Sequence, residues 1–168
     1  MKKMMFCLFL CAALALCGCG EEGIPSDYVP VPHAEAYEVE VESPSVVTAG
    51  EEFRIKVTST NVSGKTLWRE TCSSLYKLGA TITVFTVVDG EEFVLQDEFE
   101  TLTEDIRIER IEPGETVSHE WVFDGTLEAA RHGREEADGT YRRKAAPKGV
   151  YSIRVSTGEV IENAFELK

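Results

Sequence analysis

The feature that most constrains the fold is a hydrophobic pattern with a period of two residues. In four stretches, apolar residues alternate with polar or charged ones. Side chains of a β-strand point alternately to the two faces of a sheet, so each stretch predicts a strand with one buried face and one wet face. In the third stretch the pattern predicts that Ile106 and Ile108 face the core and Glu109 faces water. The alternating stretches are residues 37–42, 53–58, 106–109 and 151–156.

Turn signals separate the predicted strands. Asp89-Gly90 lies between the predicted strands 81–88 and 91–99, and this dipeptide is a strong signal for a two-residue β-hairpin. Pro113-Gly114 fits the two central positions of a type II turn. Seven to eight short strands at this spacing, without alternating helices, predict an all-β fold, an antiparallel immunoglobulin-like β-sandwich. We also expect the glutamates of the first strand to protect a sheet edge.

The N-terminus has the organisation of an export signal. Lys2 and Lys3 precede the apolar run 4–16, which is too short to cross a bilayer. The acid-free run then changes abruptly to Glu21-Glu22 and a proline-bearing tract. This order predicts a secretory signal peptide rather than a buried core helix.

Leu16-Cys17-Gly18-Cys19 ends this run and resembles the lipobox of bacterial lipoproteins, in which a small residue precedes the lipid-bearing cysteine. The resemblance implies cleavage after Gly18 and a diacylglyceryl thioether on Cys19, with acyl chains such as palmitate. Cys17 is the competing position, but the bulky Leu16 before it departs from the pattern. Two acyl chains give stable membrane anchoring, whereas one gives only marginal binding.

The predicted organisation therefore has three parts. Residues 1–18 are a lipoprotein signal peptide, and residues 19–35 are a lipidated N-terminus followed by a proline-containing tether. Residues 36–168 form the sandwich, with a long charged insertion at 124–148. Of five cysteines only Cys72 then has no assignment, so we predict no intramolecular disulfide and interpret this thiol as a buried or inert group.

The charge of the chain restricts its partners. It has 17 basic and 30 acidic residues, so loss of Lys2 and Lys3 with the signal leaves a net charge of −15. Such a domain is repelled by nucleic acid and by anionic headgroups, which excludes nucleic acid as a partner. Membrane attachment then depends on the lipid.

The insertion 124–148 differs from the rest of the chain in carrying a net positive charge, with six basic and three acidic residues from position 131 onward. Thr126 is placed to cap a short helix over 127–132 that Gly133 would end. One interpretation of the insertion is a mobile, solvated arm, and the other is a contact site for an anionic partner. In the second interpretation the partner-binding residues are Arg131, Arg134, Arg142, Arg143 and Lys144.

The sequence contains no catalytic or metal-binding motif that we recognise. It has no glycine-rich phosphate loop, no Gly-x-Ser-x-Gly elbow and no ligand spacing among its three histidines. On the predicted strand 116–123 we interpret Trp121 as a core aromatic and His119 as a core or boundary histidine. We therefore predict that the protein is not an enzyme and holds no cofactor or metal.

A second resemblance covers roughly residues 51–157. The positions that carry it are Asn61 with Ser63-Gly64-Lys65, Asp89-Gly90, Pro113-Gly114-Glu115, Trp121 and Gly149-Val150-Tyr151. This pattern is similar to the intracellular proteinase inhibitor (BsuPI) family, whose fold is immunoglobulin-like. The resemblance implies a β-sandwich, and it implies proteinase inhibition as one form of protein binding.

These features lead to one main hypothesis and one alternative. We predict an exported protein that is lipid-anchored to a bacterial membrane, with its domain outside the cytoplasm. The main hypothesis is a non-catalytic immunoglobulin-like module that binds a protein or another envelope component. The alternative is a structural or assembly accessory of a larger envelope complex. The sequence leaves the oligomeric state open.

Overall fold

A computed structural model describes residues 23–71, 78–95, 106–123, 128–131 and 143–168. The predicted signal peptide 1–18, the lipid site Cys19 and Cys72 lie outside these ranges. The described residues contain a short helix, α1 (His33–Ala36), and no helix among them is long and apolar enough to span a bilayer. In chain order their strands are β1 (Tyr37–Glu42), β2 (Val46–Val47), β3 (Phe53–Asn61), β4 (Leu67–Thr71), β5 (Ile82–Val88), β6 (Glu91–Leu95), β7 (Arg107–Ile111), β8 (Thr116–Phe123), β9 (Glu128–Arg131), β10 (Arg143–Ala145), β11 (Gly149–Val155) and β12 (Val160–Leu167).

The strands form three sheets. One sheet has the order β1-β3-β8, a second has the order β10-β9-β6-β5-β11-β12-β2, and the third contains β4 and β7. All neighbouring pairs are antiparallel except β2 and β12. The predicted all-β antiparallel sandwich is confirmed. The sequence patterns did not mark β2, β4, β9, β10 or β12, and of these β2, β9 and β10 are too short to show an alternating pattern.

The main core lies between the three-stranded and the seven-stranded sheets. Every second residue of β3 from Phe53 to Asn61 is buried, as the alternation predicted. Tyr151 and Phe165 stack with their ring centroids 5.2 Å apart, and both are buried. Burial of a large apolar side chain contributes about 1.5–3 kcal/mol. We call the cluster around these residues the main core; its other buried members include Ile55, Val57, Val84, Leu95 and Ile153.

A second core lies where the two-stranded sheet and α1 meet the sandwich. It contains Tyr37 of β1, Leu67 of β4 and Ile111 of β7. Val39 and Val41 pack against both cores, so the apolar interior is continuous. Its other buried members are Ala36, Ala80, Val117 and Val155.

The predicted turns are present. Asp89 has a φ of 53° and Gly90 a φ of 80°, and positive values at both central residues define the type I′ turn of a two-residue hairpin. Gly114 has a φ of 78°, and the Glu115 N–H donates to the Glu112 carbonyl oxygen at 2.9 Å, as in a type II turn. β1 lies at one end of its sheet as expected, with its glutamates exposed.

The predicted orientation of the strand around Ile108 is wrong. Ile106 is 77% exposed, whereas the residues expected to face water include Glu109, which is fully buried. The reason is the pairing of β7 with β4, where Arg69 lies opposite Glu109 and Leu67 opposite Ile111. Arg69 neutralises the buried carboxylate, and Ile111 completes the second core.

The predicted helix over 127–132 is also wrong, because Glu128–Arg131 is the strand β9. β9 pairs with β6 on one side and with β10 on the other. Pairing with an available sheet edge outweighs a local helix-capping signal, since capping contributes only about 1 kcal/mol. On β8, Trp121 packs against the main core, and the partly buried His119 contacts it edge-on at 5.0 Å between ring centroids.

Candidate binding groove

Three of the five predicted partner-binding residues lie within described strands. Arg131 ends β9, Arg143 and Lys144 begin β10, and these two strands form one end of the seven-stranded sheet. The backbone thus places the three residues in a single strand pair rather than in a loop. The other candidate positions, outside the described residues, are Arg134, Arg142 and the lipid site Cys19.

A groove of about 560 Å³ lies in a different part of the molecule, beside β4. One side is formed by residues 24–36, which we call the N-terminal wall and which include most of the predicted tether. The other side is formed by β4, chiefly by Trp68, Arg69 and Glu70. The volume is within the range of about 300–1,000 Å³ that is typical of ligand-binding pockets.

A few hydrogen bonds attach the N-terminal wall to the sandwich. The Tyr28 hydroxyl accepts a hydrogen bond from the backbone N–H of Trp68 at 3.1 Å. The carbonyl of Ala36, the last residue of α1, accepts one from the Val62 N–H at 2.9 Å. His33 Nδ1 and the hydroxyl of Ser156 are 2.9 Å apart. The wall therefore adheres at separate points, with the groove between them.

Arg69, which lines the groove, forms an ion pair with the fully buried Glu109 of β7. Arg69 Nε donates to Glu109 Oε2, and Arg69 Nη1 donates to the Gly79 carbonyl oxygen at 3.2 Å. Arg69 Nη2 and Glu109 Oε1 are buried and have no hydrogen-bond partner in the described structure. Loss of either residue would leave a buried charge uncompensated, at a cost of about 3–5 kcal/mol.

Gly79 is required by this arrangement. Its φ is +62°, and a Cβ built on it would lie 2.7 Å from Ser59 Cβ and 2.8 Å from Val117 Cγ2. The Ser59 hydroxyl accepts a hydrogen bond from the next N–H, that of Ala80, at 3.0 Å. The chain at Gly79 is thus pressed against β3 and β8, and its carbonyl is fixed where Arg69 can reach it.

Asn61 holds β4 and β7 in register at the other end of the pair. Its Nδ2 donates to the carbonyl oxygens of Lys65 at 2.8 Å and Ile111 at 3.0 Å. Its Oδ1 accepts from the Ser63 N–H at 3.1 Å. The side chain is buried, so these bonds satisfy it internally and fix the turn that leads into β4.

The groove carries little charge of its own at neutral pH. Burial, and then the positive charge of Arg69, lower the pKa of His33 below 6.5, so the imidazole is neutral. Burial is the main cause that raises the pKa of Tyr37, with Arg69 acting in the opposite direction and Glu109 adding to the rise. Arg69 and Glu109 compensate each other, which leaves the exposed carboxylate of Glu70 as the net charge of the lining.

The groove offers aromatic and proline surfaces and the exposed carboxylate of Glu70. Arg110 lies over the Trp68 ring, 5.7 Å from its centroid, and fixes the indole that borders the groove. In the part of the chain that the structure describes, no group of three or more His, Cys, Asp or Glu residues is placed to hold a metal ion.

Sequence reasoning did not find this groove. The prolines of the wall predicted an extended tether, and Arg69 lies in a stretch without alternation. One available signal was Ile111, which is out of phase with Ile106 and Ile108. Choosing the phase of Ile111 places Glu109 inside and requires a buried cation opposite it.

Comparisons with known proteins identify no family. No protein-family model matches the sequence, and no curated protein is significantly similar to it. Among solved structures, a β-glucosidase from Listeria innocua in complex with glucose is similar at a TM-score of 0.37 and 15% identity, over 78% of this chain and 16% of that chain. A β-glucosidase from Kluyveromyces marxianus is similar at a TM-score of 0.31 and 10% identity, over 79% of this chain and 15% of that chain. The chain thus spans about one-sixth of their length, and at these TM-scores the likeness carries no argument.

Proposed function

We propose that this chain is an exported bacterial lipoprotein, anchored through acyl chains on Cys19, whose β-sandwich is a non-catalytic module that binds an envelope protein. The lipobox-like sequence supports the anchor. The observation that carries the binding role is the groove of about 560 Å³ beside β4, whose lining includes Trp68, Arg69 and the exposed Glu70. The groove is the contact surface in this proposal.

The lining of the groove gives a physical reason for a partner. A ligand that covers its aromatic and proline surfaces, such as those of Trp68 and Pro30, removes apolar area from water, and the exposed carboxylate of Glu70 adds a polar contact. The N-terminal wall also leads directly back to Cys19, only five residues before Ile24 in the sequence. Binding would therefore take place next to the membrane surface.

The binding role is tested by photocrosslinking in the native cells. A benzophenone amino acid replaces Val31, which lines the groove, and a matched control replaces Val87, which is exposed on β5 outside it. We expect a discrete protein adduct from position 31 only. No adduct at position 31, or the same adducts from both positions, would contradict the role of the groove.

The anchor is tested separately. We expect Cys19→Ser to release the protein into the soluble fraction, whereas Cys17→Ser remains with the membrane and keeps its lipid. Mass spectrometry of the N-terminal peptide is the measurement. A protein that stays in the membrane without Cys19, or an unmodified Cys19 in native material, would overturn the anchoring proposal.

A further inference from the structure

β4 has a free edge that faces the groove. On its other side it pairs with β7, with Leu67 opposite Ile111 and Arg69 opposite Glu109. The N–H of Trp68 points away from β7, because it donates to the Tyr28 hydroxyl across the groove. Backbone groups of a strand alternate in direction, so the N–H and C=O of Glu70 point to the same side as those of Trp68.

The N-terminal wall cannot pair with this edge as a strand. Pro30 and Pro32 have no N–H to donate, and both line the groove opposite β4. The described residues place no other strand beside β4. The Tyr28 hydroxyl therefore stands, as a single acceptor, in the position that the carbonyl oxygen of a neighbouring strand would take.

We propose that an extended, basic peptide segment of a partner protein adds to β4 as a third strand and displaces the Tyr28 hydroxyl. This inference rests on the proposed binding function and specifies how the partner is recognised. An open edge of this kind is the usual template for strand addition, in which main-chain hydrogen bonds give affinity. Trp68 and Glu70 supply two N–H and two C=O groups for the incoming chain.

The negative charge beside the edge of β4 favours a basic peptide segment as the added strand. The carboxylate of Glu70 borders the edge and forms no ion pair within the described structure, while the chain without its predicted signal peptide carries −15. A lysine or arginine on the incoming strand meets Glu70, and the field of the domain attracts it. Alternate side chains of the strand point toward Trp68 or away from it, which adds a preference for position.

The test starts from a displayed library of random twelve-residue peptides, selected on the full-length protein in detergent. Binding of the selected peptides is then measured by fluorescence anisotropy on wild type, Glu70→Pro and Glu70→Ala. Glu70→Pro removes an N–H that points into the groove and leaves the β7 ladder intact, because prolines are tolerated at free strand edges. Glu70→Ala keeps that N–H and removes only the carboxylate.

We expect basic peptides without internal proline, about tenfold weaker binding to Glu70→Pro, and about threefold weaker, salt-sensitive binding to Glu70→Ala. Tyr28→Phe removes the competing hydroxyl and should tighten binding by about threefold, an effect that misfolding cannot produce. A selection that yields no binders, or peptides that bind Glu70→Pro as well as wild type, overturns strand addition. If position 31 still captures a partner in cells, the binding function stands without it.

Discussion

The main core and the second core belong to one sandwich, but they differ in the kinds of side chain that surround them. The main core is apolar and aromatic throughout, with Tyr151 and Phe165 stacked at its centre. The second core adjoins the fully buried Glu109, its partner Arg69 and a wall that is not a strand. Apolar packing alone is sufficient for the first region, whereas the second depends on one charge compensating another.

The ion pair of the second region need not add to the stability of the fold. A buried ion pair is often no more stable than a well-packed apolar pair of the same volume. The pair lies next to a groove and leaves one buried polar atom of each partner without a hydrogen bond in the described structure. The two tryptophans allow the regions to be observed separately, since Trp68 borders the groove and Trp121 packs against the main core.

The largest effect is expected in the main core. Phe165→Ala should lower the free energy of unfolding by about 3–5 kcal/mol, because it leaves a cavity beneath Tyr151. Phe165→Leu, the control, should cost less than about 1.5 kcal/mol. Urea unfolding followed in Trp68→Phe and Trp121→Phe backgrounds should give coincident transitions. Separate transitions would show that the two cores are independent units.

The ion pair should behave differently from the main core. Arg69→Met alone should destabilise by about 3 kcal/mol, since Glu109 would be left charged and buried. The double variant Arg69→Met with Glu109→Leu should recover most of that loss, because two apolar side chains need no compensation. Thermal unfolding of the two variants is the measurement. A double variant that is less stable than the single one would contradict this account.

Gly79 should show a smaller effect with two separable causes. Gly79→Ala should cost about 1–3 kcal/mol through its positive φ and its contact with Ser59. Gly64 has a φ of +69° but open space around it, so Gly64→Ala measures the backbone strain alone. We expect Gly79→Ala to have the larger loss of Tm. Equal losses would mean that the close approach to β3 relaxes without cost.

The smallest effect is a pH dependence confined to the second region. The pKa of His33 is lower in the folded protein than its usual value of 6.5, so the unfolded chain binds the proton more tightly. The stabilisation is complete above pH 6.5 and is lost as the pH falls from there toward the folded value. Wild type should lose stability over this window, and His33→Gln should show a shallower slope. If stability depends on pH with the same slope in wild type and in His33→Gln, His33 does not contribute to the attachment of the N-terminal wall.

The sequence was informative where burial follows one simple rule. The alternation of β3 and of β11, and the turns at Asp89-Gly90 and Pro113-Gly114, predicted strands and hairpins that the structure contains. Each of these signals is local, because side-chain direction and turn conformation depend on adjacent residues. The fold class could therefore be predicted from short stretches.

The groove could not be predicted in the same way, because its parts are distant in sequence. Burial of Glu109 depends on Arg69 forty positions earlier, and a charged residue in an alternating stretch is normally exposed. The prolines of the N-terminal wall are typical of linkers, and it is the contacts of Tyr28, His33 and Ala36 that show the wall to be part of the domain. Tertiary pairing, rather than local preference, positions each of these residues.

The attachment of the N-terminal wall has a mechanical consequence. Any load carried by the chain ahead of residue 23 enters the molecule through this wall, and it meets the contacts at Tyr28, His33 and Ala36 one after another. Contacts that break one after another give way at a lower force than the hydrogen bonds of a sheet that are all loaded at once. Tension would therefore open the edge of β4 while the rest of the sandwich stays intact.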